Sequence, residues 1–178
     1  DGFVMAAAIP RIFSFVAKAE LAGQFIPRLL LGRIGTEYVR RTDKEGSLRD
    51  ARRLAERAEA GRSLMYFPEG TLTRAPGLLP FHVGAFEAAV AAGLPVVPIA
   101  IRGTRSVLRD GTWRPRRAAI AVTIEPPIWP AEIAAEAAEA AKTERDAWAT
   151  AIRLRDAARA RILRHCGEPD AQHERAPL

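Results

Sequence analysis

Short apolar runs alternate with longer amphipathic stretches along the 178 residues of this chain. Apolar runs of about four to eight residues are typical of buried strands, and an apolar stripe at three- to four-residue spacing is typical of a helix against a core. The pattern predicts strands at residues 12–16, 36–40, 64–67, 95–101 and 118–124, and helices at residues 3–8, 21–34, 47–61, 84–92, from 131 onward and at 144–164. Strands that alternate with helices indicate an α/β domain.

Two features of this pattern set the expected organisation. Residues 95–101 are apolar throughout, as expected for a central strand that is covered on both faces. No internal repeat and no second domain is evident, so residues 1–167 are predicted to form one domain. The remaining residues, 168–178, are polar and are predicted to be a frayed tail.

Composition adds a constraint on partners. Hydrophobic residues make up 48% and charged residues 27%, which is ordinary for a soluble α/β protein. The net charge of +6 indicates an anionic partner, either nucleic acid, a phospholipid surface or a phosphorylated substrate, although a solvated arginine-rich surface explains it equally well. Cys166 is the only cysteine, which excludes an intrachain disulfide and a multi-cysteine metal site and fits a reducing, cytosolic setting. The sequence contains no run of about 18 apolar residues, so no transmembrane helix is predicted.

The main chemical candidate follows the strand predicted at residues 64–67. The sequence Phe67-Pro68-Glu69-Gly70-Thr71 places a carboxylate at the end of a sheet, where open α/β folds bind their ligands. Gly70 allows a substrate to approach closely, and Glu69 can accept a hydrogen bond from a substrate hydroxyl. Without further context, this is also compatible with an ordinary loop that contains proline, glycine and a carboxylate.

Three blocks in a fixed order extend this motif to most of the chain. They are a glycine-led strand that ends in arginine, the Phe-Pro-Glu-Gly-Thr block, and an apolar run with a Val-Pro pair, at residues 35–41, 67–71 and 96–101. Together they resemble the glycerol-phosphate and lysophosphatidate acyltransferase family. The resemblance implies a mixed central sheet flanked by helices, and transfer of a fatty acyl group from a thioester to a lipid hydroxyl.

The resemblance also implies a catalytic pair of which this chain contains one member. The family has a His and an Asp separated by four residues, and Asp1-Gly2-Phe3 resembles the Asp and the helix after it. In that family the His is thought to deprotonate the acceptor hydroxyl while the Asp orients the imidazole. The His would then stand five positions before Asp1, and the chain would be a fragment that is inactive by itself. His82, thirteen residues after Glu69, is a less favoured substitute that is more simply explained as a loop residue.

Substrate-binding roles are likewise implied residue by residue. Arg41 is the main candidate to bind a phosphate on the acceptor, with Lys18 a weaker one. Gly70, Thr71 and Pro98 fall in the blocks that line the family's substrate site.

One departure from the family pattern concerns the acceptor. The family often has an arginine directly after Gly-Thr, where this chain has Leu72, and Arg74 is a possible replacement two positions on. The acceptor is therefore expected to be a lysophosphatidate or another lysophospholipid.

The remaining expectations concern partners and location. The thioester donor would be acyl-CoA or acyl-carrier protein, with no metal or redox cofactor. An anionic membrane surface on the cytoplasmic side would attract the arginines at positions 102, 105, 109, 114, 116 and 117. Binding of nucleic acid is the reading that these arginines would equally favour without the apolar block beside them, and it is not expected. The main alternative to an enzyme is a catalytically silent basic module that docks on membranes.

Overall fold

The structure of the chain is a computed structural model. It describes residues 1–10, 12–18, 37–39, 56–57, 60–71, 75–107, 114–136 and 144–173, and for residues 17–18, 37–39 and 144–146 the backbone alone. The five helices and five strands of this part are, in chain order, α1 (Gly2–Ala8), β1 (Phe13–Lys18), β2 (Glu37–Val39), β3 (Ser63–Tyr66), α2 (Gly84–Ala92), β4 (Ile99–Arg102), α3 (Thr104–Val107), β5 (Ala121–Ile124), α4 (Pro130–Glu136) and α5 (Glu144–Cys166).

The described strands form two small sheets. In the first, β1 lies between β2 and β3 and is parallel to both, with Phe13 opposite Ser63 and Val16 opposite Glu37. Because parallel strands end at the same edge, β1, β2 and β3 all deliver the chain to one side of this sheet. In the second sheet, β4 and β5 pair antiparallel, with Ile99 opposite Ile124.

Helix α5 is the centre of the main hydrophobic core. It packs against α2, β4 and α4, and its fully buried residues Ala151, Leu154 and Ala158 recur at helical spacing. The buried residues of this cluster are Leu78, Phe81, Phe86, Ala100, Ile128, Ile133, Ala151, Leu154, Ala158 and Cys166. The core therefore joins the C-terminal half of the chain to the loop at residues 78–81.

Helix α2 shows how local sequence sets one boundary of this packing. Gly93 adopts the left-handed conformation (φ 63°), which a side chain would oppose, and Leu94 donates from its backbone N–H to the carbonyl of Ala89 at 3.0 Å. The predicted end of this helix at residue 92 is confirmed. Its buried residues are Phe86 and Ala88, and Phe86 belongs to the core cluster that α5 also enters.

The α/β class and the flanking helices are confirmed, and three expectations change in detail. Within the described residues, the strand predicted at 95–101 begins only at Ile99 and pairs with β5 alone, so the prediction of a central strand is wrong there. The sheet is also divided in two within the described residues. The helix predicted at residues 21–34 lies outside the described residues, as does most of the one at 47–61.

The expected frayed tail is the third change. Residues 168–173 are packed against the domain, with Ala171 only 4% exposed and Asp170 in a bridge to Leu78. A polar segment can be ordered when its side chains meet buried charges, and composition alone does not show this. The packed chain therefore continues past the boundary predicted at residue 167.

Truncation of Leu154 tests the role of α5 in the core. Leu154 is 0% exposed, so Leu154→Ala leaves a cavity and should lower the free energy of unfolding by about 2–5 kcal/mol in a denaturant titration. The control is Ile12→Ala, since Ile12 is 98% exposed and should change stability by less than about 0.5 kcal/mol. Equal losses in the two variants would show that α5 does not form the core.

Candidate active site

The Phe-Pro-Glu-Gly-Thr motif forms a tight turn at the end of β3. The backbone N–H of Gly70 donates to the carbonyl of Phe67 at 3.0 Å, with Pro68 and Glu69 between them. Proline ends the strand because it lacks an N–H and its fixed φ suits the first central position of a turn. Gly70 has a φ of 66°, where a side chain would be strained. The turn therefore fixes where the side chain of Glu69 starts.

The carboxylate of Glu69 is partly buried and is held by a backbone amide. Its Oε2 accepts a hydrogen bond of 2.9 Å from the N–H of Leu79. Burial raises the pKa of Glu69 above its ordinary value, while the Leu79 bond and the positive charges of Arg105 and Arg159 pull that pKa down. Glu168 adds a smaller upward push. The pKa of Glu69 therefore depends on the surroundings of the loop at residues 77–79.

That loop is fastened by the segment after α5. Gly77 donates from its N–H to Oε2 of Glu168 at 2.8 Å, and Leu78 donates to the carbonyl of Pro169 at 2.9 Å. In return, the N–H of Ala171 donates to the carbonyl of Leu78 at 3.2 Å. These bonds form a short ladder, which explains why residues 168–172 do not fray.

A buried arginine joins α5 to the same ladder. Arg159 is only 5% exposed, and its guanidinium donates to the backbone carbonyls of Leu78 and Leu79. It also pairs with Oδ1 of Asp170 at 2.6 Å, donates to Gln172 and lies 5.9 Å over the ring of Phe81. Burying a guanidinium without partners is costly, and here its donors meet four acceptors.

Asp170, the carboxylate that pairs with Arg159, has a lowered pKa. The hydrogen bond from Arg159 holds the pKa of the Asp170 carboxyl below its usual value, with help from the N–H of Gln172. Because the folded-state pKa is lowered, this pair contributes stability above the ordinary carboxyl pKa. That contribution is lost as the pH falls through the lowered value.

A large cavity lies beside the turn. Its volume is about 1360 Å³, and Glu69 and Thr71 are among its wall residues together with Asp1 and Pro98. Much of the wall is apolar, including Met5, Phe13, Leu64, Phe81, Ile99 and Ile101. A volume above the range of about 300–1,000 Å³ usual for small-molecule sites, with apolar walls, suits a long hydrocarbon chain.

Aromatic packing connects Asp1 to the turn. Phe15 on β1 stacks on Phe67, with ring centroids 6.1 Å apart and an interplanar angle of 7°. A Cβ placed on Gly2 would lie 3.8 Å from the ring of Phe15, so the first turn of α1 packs against the same residue. The Asp1 side chain does not cap α1, which leaves its carboxylate available for another hydrogen bond.

The structure thus assembles part of the predicted site. Asp1, Glu69, Thr71 and Pro98 surround one cavity, and Gly70 shapes the turn. Lys18 ends β1, and only its backbone is described. Arg41 and Arg74 lie outside the described residues. Their roles in binding substrate stay predictions.

The role favoured for His82 agrees with its environment. The backbone N–H of His82 donates to the carbonyl of Pro68 at 2.9 Å, and the residue is exposed. Its backbone therefore ties the loop to the Pro-Glu-Gly turn. The Nε2 atom of His165, on α5, lies 2.8 Å from a carboxylate oxygen of Glu125.

Sequence reasoning missed the residues that support Glu69 from a distance. Arg159, Glu168 and Asp170 belong to the last helix and to the segment predicted to be a tail. One signal existed, since Arg159 lies eight residues after Ala151 and seven before Cys166, on the apolar face of α5. An arginine on an apolar stripe indicates a buried partner, although it does not say which one.

The described arginines among those expected to face a membrane are exposed, although one of them is held in an ion pair. Arg102, Arg114, Arg116 and Arg117 are exposed, whereas Arg109 lies outside the described residues. Arg105 pairs with Glu168 at 2.8 Å and donates to the carbonyl of Ala75, so it belongs to the supports of the loop.

Among the described helices, none combines the length and the apolar character needed to cross a membrane. No metal-binding group of three or more His, Cys, Asp or Glu occurs within the described ranges.

The site thus has a carboxylate at the wall of a large cavity that is lined mostly by apolar residues. Residues 1–102 match the family model described as acyltransferase, which is more than half of the chain. The chain therefore belongs to the acyltransferase family.

Individual relatives support this assignment. A lyso-ornithine lipid O-acyltransferase of Pseudomonas aeruginosa is 38% identical over 98 residues, which cover 55% of this chain and 36% of that protein. A 1-acyl-sn-glycerol-3-phosphate acyltransferase of Escherichia coli is 42% identical over 66 residues, covering 37% of this chain and 26% of that protein. The chain thus matches about a third or less of the length of these two relatives.

The fold has a counterpart among solved structures. The crystal structure of a 1-acyl-sn-glycerophosphate (LPA) acyltransferase from Thermotoga maritima aligns with a TM-score of 0.59 at 21% identity, over 87% of this chain and 56% of that one. At this identity the likeness concerns the fold.

Gly77 tests whether the ladder depends on close packing. It has a φ of 140°, and a Cβ there would come within 2.7 Å of the Cβ of Ala171. Gly77→Ala should lower the free energy of unfolding by about 3 kcal/mol, from backbone strain plus displacement of residues 169–171.

Gly61 provides the matched control. It also has a positive φ (83°), but a Cβ there meets nothing within 4 Å. Gly61→Ala should cost about 1 kcal/mol, the strain alone. Equal losses in a denaturant titration would contradict a packing role for Gly77.

Proposed function

We propose that this chain forms the acyl-transfer domain of an O-acyltransferase. It would move a fatty acyl group from acyl-CoA or acyl-carrier protein to the hydroxyl of a lysophosphatidate or another lysolipid in phospholipid biosynthesis. The observation that carries the proposal is the Glu69 carboxylate, held by the Leu79 amide at the wall of a cavity large enough for an acyl chain. Glu69 lies within residues 1–102, which match the acyltransferase family.

The chemistry divides between two carboxylates and an external base. A His five positions before Asp1 would accept the proton of the acceptor hydroxyl, while Asp1 holds the imidazole in the reactive orientation. The alkoxide oxygen then forms a bond to the thioester carbonyl carbon, the carbon–sulfur bond breaks, and the proton passes to the departing thiolate. Glu69 would accept a hydrogen bond from the acceptor and so fix its hydroxyl near the thioester.

The acceptor class is proposed from the cationic residues that the family resemblance implies. Arg41 would bind an anionic head group through its guanidinium fork, with Arg74 and Lys18 as further cations. Leu72 supplies no charge where the family often has arginine. The Pseudomonas relative is named for a lyso-ornithine lipid, which supports offering acceptors beyond lysophosphatidate.

Attachment to a membrane is part of the proposal. The exposed arginines Arg114, Arg116 and Arg117 follow one another closely, and a charge near an anionic leaflet gains about 1 kcal/mol. We place the domain at the cytoplasmic face, where its lipid acceptor would be presented. The same observation supports the second candidate, a catalytically silent basic module.

Substitution of Glu69 separates catalysis from folding. Glu69→Ala should abolish acyl transfer. Glu69→Gln should lower kcat/KM by about 10- to 100-fold, because the substrate then donates its hydrogen bond to a neutral amide oxygen and no longer to a charged carboxylate. Because burial raises the pKa of Glu69, its ionised form opposes folding at neutral pH, so Glu69→Gln should unfold at the same temperature as the parent or higher. The measurements are product formation from a labelled thioester and thermal unfolding at pH 7.

The assay compares the chain as it stands with a chain extended by its natural upstream residues. Acceptors are lysophosphatidate, several lysophospholipids and a lyso-ornithine lipid. Transfer by the chain as it stands would contradict a base that precedes Asp1. Undiminished transfer by a folded Glu69→Ala variant would show that the acceptor binds elsewhere. A residue other than His five positions before Asp1 would leave the silent module as the better candidate.

Vesicle binding tests the membrane role. Replacing Arg114, Arg116 and Arg117 together with Gln should weaken co-sedimentation with anionic vesicles by about fivefold for each charge removed. Binding to neutral vesicles should be weak for both proteins. Arg153→Gln, an exposed arginine on α5, is compared with Arg117→Gln as a single-charge control. Equal effects of these two would indicate that net charge, and not this segment, governs binding.

A further inference from the structure

One peptide group separates the buried guanidinium from the carboxylate of the turn. The carbonyl of Leu78 and the N–H of Leu79 belong to the same peptide unit. Arg159 donates to that carbonyl, and that N–H donates to Glu69 at 2.9 Å. Arg159 and Glu69 stand 90 residues apart in sequence, yet only this planar unit lies between them in the hydrogen-bonded chain.

Hydrogen bonds that are linked through one peptide group strengthen each other. A positive charge on the carbonyl oxygen polarises the peptide and makes its N–H a stronger donor. The planar unit also fixes the direction of the N–H, because rotation of this peptide would break the bond from Arg159 to the Leu78 carbonyl together with the bond from the Leu79 N–H to Glu69. The position of the carboxylate is thereby linked to helix α5.

Arg159 is itself firmly held. Its Nε bonds the carbonyl of Leu79 at 3.2 Å, so it grips both peptides on either side of the Leu79 α-carbon. Asp170 and Gln172 accept from the rest of the fork, and the ring of Phe81 lies against its face. A lysine at this position would supply one compact charge and could not bridge both carbonyls in the same way.

We propose that Arg159 is a positioning residue for Glu69, acting through the Leu78–Leu79 peptide. It holds the Leu79 N–H toward the carboxylate, and its positive charge lowers the pKa of that carboxyl. This inference rests on the proposed function only for its catalytic consequence. The positioning itself is a property of the folded chain.

The first test uses NMR to follow the amide proton of Leu79 and the carboxyl group of Glu69. In Arg159→Met the Leu79 amide proton should move upfield, and titration of the labelled Glu69 carboxyl should give a pKa above that of the parent. Arg159→Lys should produce a smaller change in the same direction, because an ammonium retains the charge and one contact. Arg153→Met removes an exposed arginine from the same helix and should leave both signals unchanged.

The second test uses the pH profile of acyl transfer in a chain with its upstream residues. Arg159→Met should shift the acid limb of kcat/KM to higher pH and lower the neutral-pH value by about tenfold, as expected for one weakened bond to a charged group. A merely structural role would lower the amount of active protein without moving the limb.

Each outcome decides the proposal. If Arg159→Met fails to fold, Arg159→Lys takes its place in both tests. A folded variant with the parental Leu79 amide shift and the parental Glu69 titration overturns the inference. If both NMR changes occur and Glu69→Ala still transfers acyl groups, the positioning stands and the proposed function fails.

Discussion

The organisation of the site depends on one buried charge. Arg159 sits on the core-facing side of α5, where an unpaired guanidinium would cost more than the helix could offset. Its partners are two backbone carbonyls of the loop at residues 78–79 and two side chains beyond the helix. Satisfying this charge therefore forces three separate segments together. The short ladder, the order of residues 168–172 and the placement of the Leu79 amide all follow from that requirement.

The loop that Arg159 holds is the one that receives Glu69. Burial makes the ionised carboxylate less favourable, and the Leu79 amide with two nearby guanidinium groups offsets part of that cost. Glu168 works against them while anchoring Gly77 and Arg105. Such opposing terms are common where a charged group must stay partly desolvated to contact substrate. Stability and function therefore make different demands on this carboxylate.

Local patterns predicted what local physics decides. The end of α2 at Gly93, the turn at Pro68–Gly70 and the existence of a last helix near residues 144–164 each depend on residues within one or two turns of chain. The contacts of Arg159 could not be predicted in this way, since its carbonyl partners lie 80 and 81 residues away. The same reason explains the wrong forecast of a frayed tail. Its polarity was visible, but the buried charge that it neutralises was not.

The division of the site has a consequence for specificity. The carboxylate of Glu69 is held by the Leu79 amide, and that peptide is held by Arg159 from the core. The cations expected to read the acceptor, Arg41 and Arg74, stand at separate positions along the chain. Under the proposed function, a residue such as Leu72 could alter the choice of lysolipid without changing the hydrogen bonds that hold Glu69. Relatives named for a phosphate-bearing acceptor and for an ornithine lipid are compatible with this separation of reaction class from acceptor choice.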